Sequence, residues 1–314
     1  MIITILIVVF NVFLLIYPRV VLAAAKEGLL LWFNSVLPSL LPFIVSANLL
    51  MALGFSRLMG GILAPVMGRV FRLPGAGGFA LVTGLTSGYP VGAKTVADLL
   101  RKGELSTRNG QHLLAFCNNA GPLFVIGVVG VGLFNSSLVG YLLWTTHVLA
   151  SLVLGVLLRG TSGDFENVNS ESLSEAWLKY RTYKPHIGKA LADAVRNAMD
   201  SLVFIGGLII FFSVITAVAE TALSFDNDIY NGLLAGIAEV TGGVRRISML
   251  GQNAVTLGAA AFIVAFGGFS IHAQTFHFTA GTGIRAVPYL LAKIFHGIIA
   301  AGFTMGLWIL FFGK

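Results

Sequence analysis

The chain has 314 residues, 56% of them hydrophobic and 11% charged, with a mean hydropathy of +0.88. A soluble domain carries about 25% charged residues, so this composition excludes one and indicates a polytopic membrane protein. The 20 basic against 13 acidic residues fit Lys and Arg collected in cytoplasmic loops rather than a nucleic-acid partner, and the single cysteine, Cys117, excludes an intramolecular disulfide framework and a thiol metal cluster.

Residues 1–18 read as a first transmembrane span, stopped by Tyr17-Pro18-Arg19. No basic region precedes its apolar run, so a retained helix is expected rather than a cleaved signal. Arg19 and Lys26 follow, which places the N-terminus outside the cell. A second span is predicted from about 29 to 55, kinked by Pro38 and Pro42, and a shorter segment over 57–71 is flanked by Arg57, Arg69 and Arg72.

The next stretch, about 74–101, centres on Gly84-Leu-Thr-Ser-Gly-Tyr-Pro-Val-Gly-Ala-Lys94. Each apolar arm is about half of the ~20 residues that a helix needs to cross a bilayer, and basic residues flank both ends. This pattern predicts a re-entrant hairpin. Non-helical backbone at membrane depth is tolerated only when buried in protein or lining a wet cavity, so the tip implies a cavity and a solute.

A broken crossing is predicted over 105–135, with its break at Cys117-Asn118-Asn119-Ala120-Gly121-Pro122, and a further span over 138–158. Residues 160–186, with Asp164, Glu166, Glu171, Glu175, Lys179, Arg181 and Lys184, read as a cytoplasmic connector, and 187–199 as an interfacial amphipathic helix. The second half then repeats the first. A span over 201–222 precedes short arms around Ala238-Glu239-Val240-Thr241-Gly242-Gly243 (a hairpin over about 228–250). A crossing over 252–283 follows, broken at Gly267-Gly268-Phe269-Ser270-Ile271-His272, and a last span covers 287–312. Ser87 and Asn118 are 31 positions apart, as are Glu239 and Ser270. If the connector is cytoplasmic, the hairpins enter from opposite sides. The expected fold class is therefore an all-α polytopic membrane protein, an inverted repeat with two re-entrant helical hairpins and two broken transmembrane helices. Its units are an N-terminal helix (1–24), a first repeat (25–159), a connector with the interfacial helix (160–199) and a second repeat (200–314).

Broken segments at matching positions of two halves point to a transporter's midplane site. The expected solute-binding residues are Thr86, Ser87, Gly88, Tyr89 and Pro90 at the first tip and Asn118 and Asn119 at the first break. Glu239, Thr241 and Gly242 at the second tip and Ser270 and His272 at the second break complete the set. Lys94, Arg245 and Arg246 could pair with an anion, since Arg presents a fork that matches a carboxylate, or could be topology charges at the surface. Glu239 could serve a pathway or pair with Arg245 or Arg246. The tip could be a plain turn, and the asparagines interhelical hydrogen-bond partners. His272 and His277 are five positions apart, not the four that suit a metal pair on one helix, so no metal is expected. Nor is an organic cofactor. No nucleophile–base pair, His-Glu-x-x-His run or Walker motif occurs, which argues against an enzyme and against ATP-driven transport by this chain alone.

At Gly84–Lys94, at Phe116-Cys-Asn-Asn-Ala-Gly-Pro-Leu-Phe124 and at Ala238-Glu-Val-Thr-Gly-Gly243, the chain resembles the YlbJ family of sporulation integral membrane proteins, within the nucleoside-recognition (Gate) superfamily. It is more distantly similar to concentrative nucleoside transporters. The resemblance implies a multi-pass protein of the bacterial cell membrane, the forespore outer membrane in an endospore former. The implied function is export of a small anionic metabolite, dipicolinic acid, towards the forespore. A nucleoside-like solute moved with a cation is the alternative, and a non-transporting sporulation component a third reading. The first tip has Thr-Ser-Gly-Tyr-Pro where nucleoside transporters carry a Gln-Thr-Glu cluster, which speaks against a nucleoside. A coupling sodium ion or proton and a homo-oligomer are compatible with the resemblance and are not fixed by the residues.

Overall fold

The computed structural model of the chain describes residues 2–161, 173–183, 185–222 and 226–312. Asp164, Glu166, Glu171 and Lys184 of the predicted connector lie outside the described residues. Among the described residues every regular element is helical, and four helices are long and apolar enough to cross a membrane, or five if the bent pair at the N-terminus is one span.

That pair is α1 (Ile2–Ile16) and α2 (Pro18–Leu31), which meet at 103°. The sequence suggests that Pro18 stops a helix, but it begins one: at N1 its missing N–H is an orphan in any case. A π-helical turn, Trp32–Val36, joins α2 directly to α3 (Leu37–Ala52). Arg19 and Lys26 therefore sit on a helix and not in a loop between two spans. α4 (Phe55–Val66) ends in a second π turn, Met67–Phe71.

The first hairpin is α5 (Gly77–Thr86) and α6 (Val91–Arg101). Its tip turns at Gly88, whose φ of +83° suits a residue without a side chain. α7 (Thr107–Cys117), capped by Ser106, ends at the predicted break, and the crossing resumes as a π-helical segment, Leu123–Leu133. α8 (Ser137–Leu157) leads through a 3₁₀ turn, Leu158–Thr161, to the short α9 (Leu173–Thr182) beyond the undescribed stretch.

α10 (Ile187–Ala222) is one helix of 36 residues; the amphipathic stretch over 187–199 and the span over 201–222, read as separate elements from the sequence, run into each other without interruption. Asp200 falls between them, and one charged residue on an exposed face does not end a helix. α11 (Asp228–Ala238) and α12 (Val240–Ser248) form the second hairpin, α13 (Ala254–Phe266) and α14 (Gly268–Thr279) the second broken crossing, and α15 (Ala286–Phe312) the last span. The second break is narrower than the sequence suggests. It is the left-handed pair Gly267, φ +92°, and Gly268, φ +67°, and α13 with α14 is still long and apolar enough to be one span. Ser270 and His272 thus lie on the first turns of α14 and not in an unwound segment.

Small residues let these short elements meet backbone to backbone, as membrane helix packing favours. In the first hairpin a Cβ on Gly84 would fall 1.8 Å from the Cys117 carbonyl oxygen, and one on Gly92 would fall 2.6 Å from the same atom. In the second, a Cβ on Gly243 would lie 2.2 Å from the Gly236 Cα, and one on Gly268 would lie 3.0 Å from the Gly236 carbonyl oxygen. Each hairpin is thereby pinned to the break of the helix that follows it. α2 and α3 pack on α10, where Trp32 donates its Nε1–H to the Leu202 carbonyl at 2.9 Å and Gly28 gives way to Ser213.

Gly84→Ala should therefore destabilise the fold severely, since the atom it meets is backbone; overpacking of this kind costs ~1–3 kcal/mol or more. Gly207→Ala, with nothing within 4 Å of its Cβ in α10, should be neutral or stabilising. Thermal unfolding of the two variants in detergent checks this, and equal melting temperatures would refute the close approach.

Candidate functional site

Both hairpin tips, the first break and α14 converge on one cavity of about 320 Å³. Thr86, Ser87, Tyr89 and Pro90 come from the first tip, Gly121 from the first break, Glu239 and Thr241 from the second tip, and Ile271 and Gln274 from α14. Apolar side chains of α2, α3, the π segment and α10 (Leu31, Leu40, Phe124 and Ile205 among them) complete the wall. A wider vestibule of about 860 Å³ lies beside it and shares Leu31, Val128, Glu239 and Thr241.

Glu239 is built into this junction by the turn it makes. Its backbone is extended (φ −144°, ψ 127°) between α11 and α12. As the N-cap of α12, its carboxylate accepts the Thr241 N–H at 2.9 Å and the Gly242 N–H at 2.7 Å. A carboxylate on two orphan N–H groups at a helix N-terminus is well placed electrostatically. Pairing with Arg245 or Arg246, one reading of the sequence, does not occur. Arg245 binds Glu27 at 2.7 Å and Arg246 binds Glu220, both in the vestibule. Gly242 also lines the vestibule rather than the inner cavity.

Two polar atoms of the cavity wall stand out. The Tyr89 hydroxyl and the Gln274 Oε1 are buried with no hydrogen-bond partner, an expensive state unless a solute or water completes them. Gln274 was not singled out from the sequence, where it sits among Ser, Thr and His residues of similar polarity; its position four residues after Ser270, whose Oγ accepts from its Nε2 at 3.5 Å, is the signal that was there to find. Ser87 is buried in the wall, and the Thr86 hydroxyl donates back to the Val82 carbonyl at 2.8 Å.

The other expected residues support the cavity without lining it. Gly88 packs against Gly121, and the Tyr89 N–H donates to the Asn119 carbonyl, tying tip to break. Asn118 is fully engaged: its Nδ2 donates to Thr275 Oγ1 at 2.9 Å and to the Tyr289 hydroxyl at 2.8 Å, and its Oδ1 accepts the Ala93 N–H at 3.3 Å. The Asn119 Nδ2 donates to the Phe116 carbonyl at 2.7 Å. Ser270 and His272 are buried in α14, with the His272 ring packed edge-on against Phe266 and Tyr289. Lys94 is remote from the cavity wall; its Nζ bridges Asp98 and Asn48 Oδ1, both at 2.9 Å. His277 stacks on Phe204.

A second polar cluster behind the first break escaped the sequence reading. Lys293, 1% exposed, donates from Nζ to the Asn118 carbonyl at 3.0 Å and contacts His296 Nδ1 at 3.0 Å. His296 Nε2 reaches the His147 carbonyl at 3.0 Å, and His147 Nε2 accepts the Ala120 N–H at 3.0 Å. A Lys and a His three positions apart inside a 27-residue apolar helix are the signal that could have found it.

Comparison with known proteins shows the family. A family model described as Gate, nucleoside recognition, matches residues 33–137, from the π turn after α2 to the start of α8. The sporulation integral membrane protein YlbJ of Bacillus subtilis (strain 168) is 34% identical over 323 aligned positions, covering 93% of this chain and 78% of that protein. No solved structure matches significantly. Identity of this degree over most of both chains places the chain in the YlbJ family of sporulation integral membrane proteins.

Proposed function

We propose that this chain is a secondary transporter for a small polar metabolite, bound between the two hairpin tips. The observation that carries this reading is the convergence of both tips, the first break and α14 on one cavity, with Tyr89 and Gln274, each with an unpartnered polar atom, among its lining residues. A non-transporting component would have no need to keep the Tyr89 hydroxyl and Gln274 Oε1 uncompensated. Solute would enter from the vestibule, past Arg245 and Arg246, and meet Glu239 at the junction. The first repeat and the second would lie in opposite orientations, so that the vestibule and the base of the first hairpin face opposite sides of the membrane.

The family resemblance makes dipicolinate the first solute to test. Among the described residues the inner cavity holds a carboxylate and no basic side chain, so in this reading the arginines of the vestibule receive the dianion. The same absence favours a second reading, a neutral nucleoside-like solute that donates to Gln274 and accepts from Tyr89. Uptake of labelled dipicolinate beside labelled uridine into proteoliposomes separates the two, and flux of neither solute, with sodium or proton gradients imposed, would sink the transport reading.

Tyr89→Phe is the sharpest variant. Because the hydroxyl has no protein partner, its loss should leave the melting temperature unchanged. The loss should weaken solute affinity about 5–10-fold, the worth of one hydrogen bond. Unchanged flux kinetics would remove Tyr89 from the site. Ser87→Ala and Glu239→Gln should also lower flux, the latter with some loss of stability, because the cap weakens.

The opposed orientation of the repeats has its own measurement. Lys102→Cys, at the base of the first hairpin, and Met249→Cys, 71% exposed at the base of the second, should react with a membrane-impermeant maleimide from opposite faces of intact cells. Labelling of both from one face would refute the inverted arrangement.

A further inference from the structure

A helix broken inside a membrane leaves carbonyl oxygens at the end of its first half, and such ends are where transporters hold a coupling cation. At the first break of this chain those oxygens are already taken. The Phe116 carbonyl accepts from Asn119 Nδ2, the Asn118 carbonyl from Lys293 Nζ and the Asn119 carbonyl from the Tyr89 N–H. The Cys117 carbonyl is walled in by Gly84 and Gly92. Of the side-chain oxygens there, Asn118 Oδ1 accepts the Ala93 N–H, and Asn119 Oδ1 alone lacks a partner. One oxygen cannot replace an ion's hydration shell. An alkali cation does not fit these residues.

Lys293 stands where such an ion would bind. It reaches the break from α15, a different element, and among the described residues it forms no ion pair with a carboxylate. Its partners are the helix-end carbonyl of Asn118, at the negative pole of α7, and the Nδ1 of His296. Because His296 Nε2 donates to the His147 carbonyl, its Nδ1 carries the lone pair that faces the lysine. His147 in turn uses Nε2 to accept the Ala120 N–H on the far side of the same break. Lysine, two histidines and the break thus form one braced unit across α7, α8 and α15.

We propose that Lys293 is the chain's tethered cation at the first break, occupying the helix end that an exchangeable alkali ion would otherwise fill. Solute movement, which rests on the transport reading above, is therefore not coupled to a sodium ion held at the first break. His296 and His147 are positioning residues that hold the amine on the Asn118 carbonyl.

The test is sodium-linked stability, which is read without any flux and so separates this inference from the transport reading. The purified wild-type chain in nanodiscs should unfold at the same temperature, within about 1 °C, in sodium chloride and in choline chloride of equal ionic strength. A saturable, sodium-specific rise would overturn the proposal. Lys293→Ala should lower the melting temperature by about 5 °C or more and should recover part of it with ethylammonium but not with tetramethylammonium, which is too large to reach the carbonyl. A folded alanine variant that responds to no small cation would also overturn it. Should the alanine variant not fold, Lys293→Met, which keeps the volume and removes the charge and the donor, still tests it: a melting temperature equal to wild type would overturn the assignment.

Discussion

Lipid offers no hydrogen bonds, so every N–H and C=O freed by a broken helix must find its partner inside the protein. The rest of this structure follows from how that demand is met. At the first break the freed groups are satisfied by the neighbouring hairpin tip, by Asn119's own side chain and by two side chains from α8 and α15. At the second tip Glu239 caps the half-helix that it begins. At the second break two left-handed glycines, Gly267 and Gly268, confine the irregular backbone to two residues. The cavity lies between the first break and the second tip.

The same demand explains which parts of the fold were legible in the sequence. Half-length apolar arms around Gly, Pro and hydroxyl residues can be read directly, because a turn at depth needs those residue types, and pairs of short helices fall where the pattern puts the arms. Charge was a poorer guide to element ends. Arg19, Lys26 and Asp200 suggest boundaries, yet each sits on a helix, since an exposed charge on one face costs a helix little. The π turns at Trp32–Val36 and Met67–Phe71 carry no residue signature either; they arise from packing.

The site was legible to a similar depth. Residue type identified the tips, and Thr86, Ser87, Tyr89, Pro90, Glu239 and Thr241 all reach the cavity. It could not tell lining from support. Asn118 and His272 are as polar as Gln274, but Asn118 is spent on Thr275, Tyr289 and Ala93 while His272 is packed among aromatic rings. Nor could it pair the arginines, whose partners Glu27 and Glu220 lie on helices far away in sequence. Local pattern fixes backbone irregularity; the identity of a buried partner depends on tertiary contact and is invisible until the chain is folded.

α10 has a mechanical consequence. Its 36 residues span about 54 Å at 1.5 Å per residue, well beyond a ~30 Å hydrocarbon core. Near one end, the Ala194 carbonyl accepts from Asn48, which in turn holds Lys94 of the first hairpin. Near the other, Glu220 holds Arg246 of the second. A rod fastened at its two ends to two hairpins is a seesaw: any tilt about its middle, where Trp32 grips Leu202, moves the two fastenings in opposite directions. The strut thereby joins the two hairpins through one continuous helix.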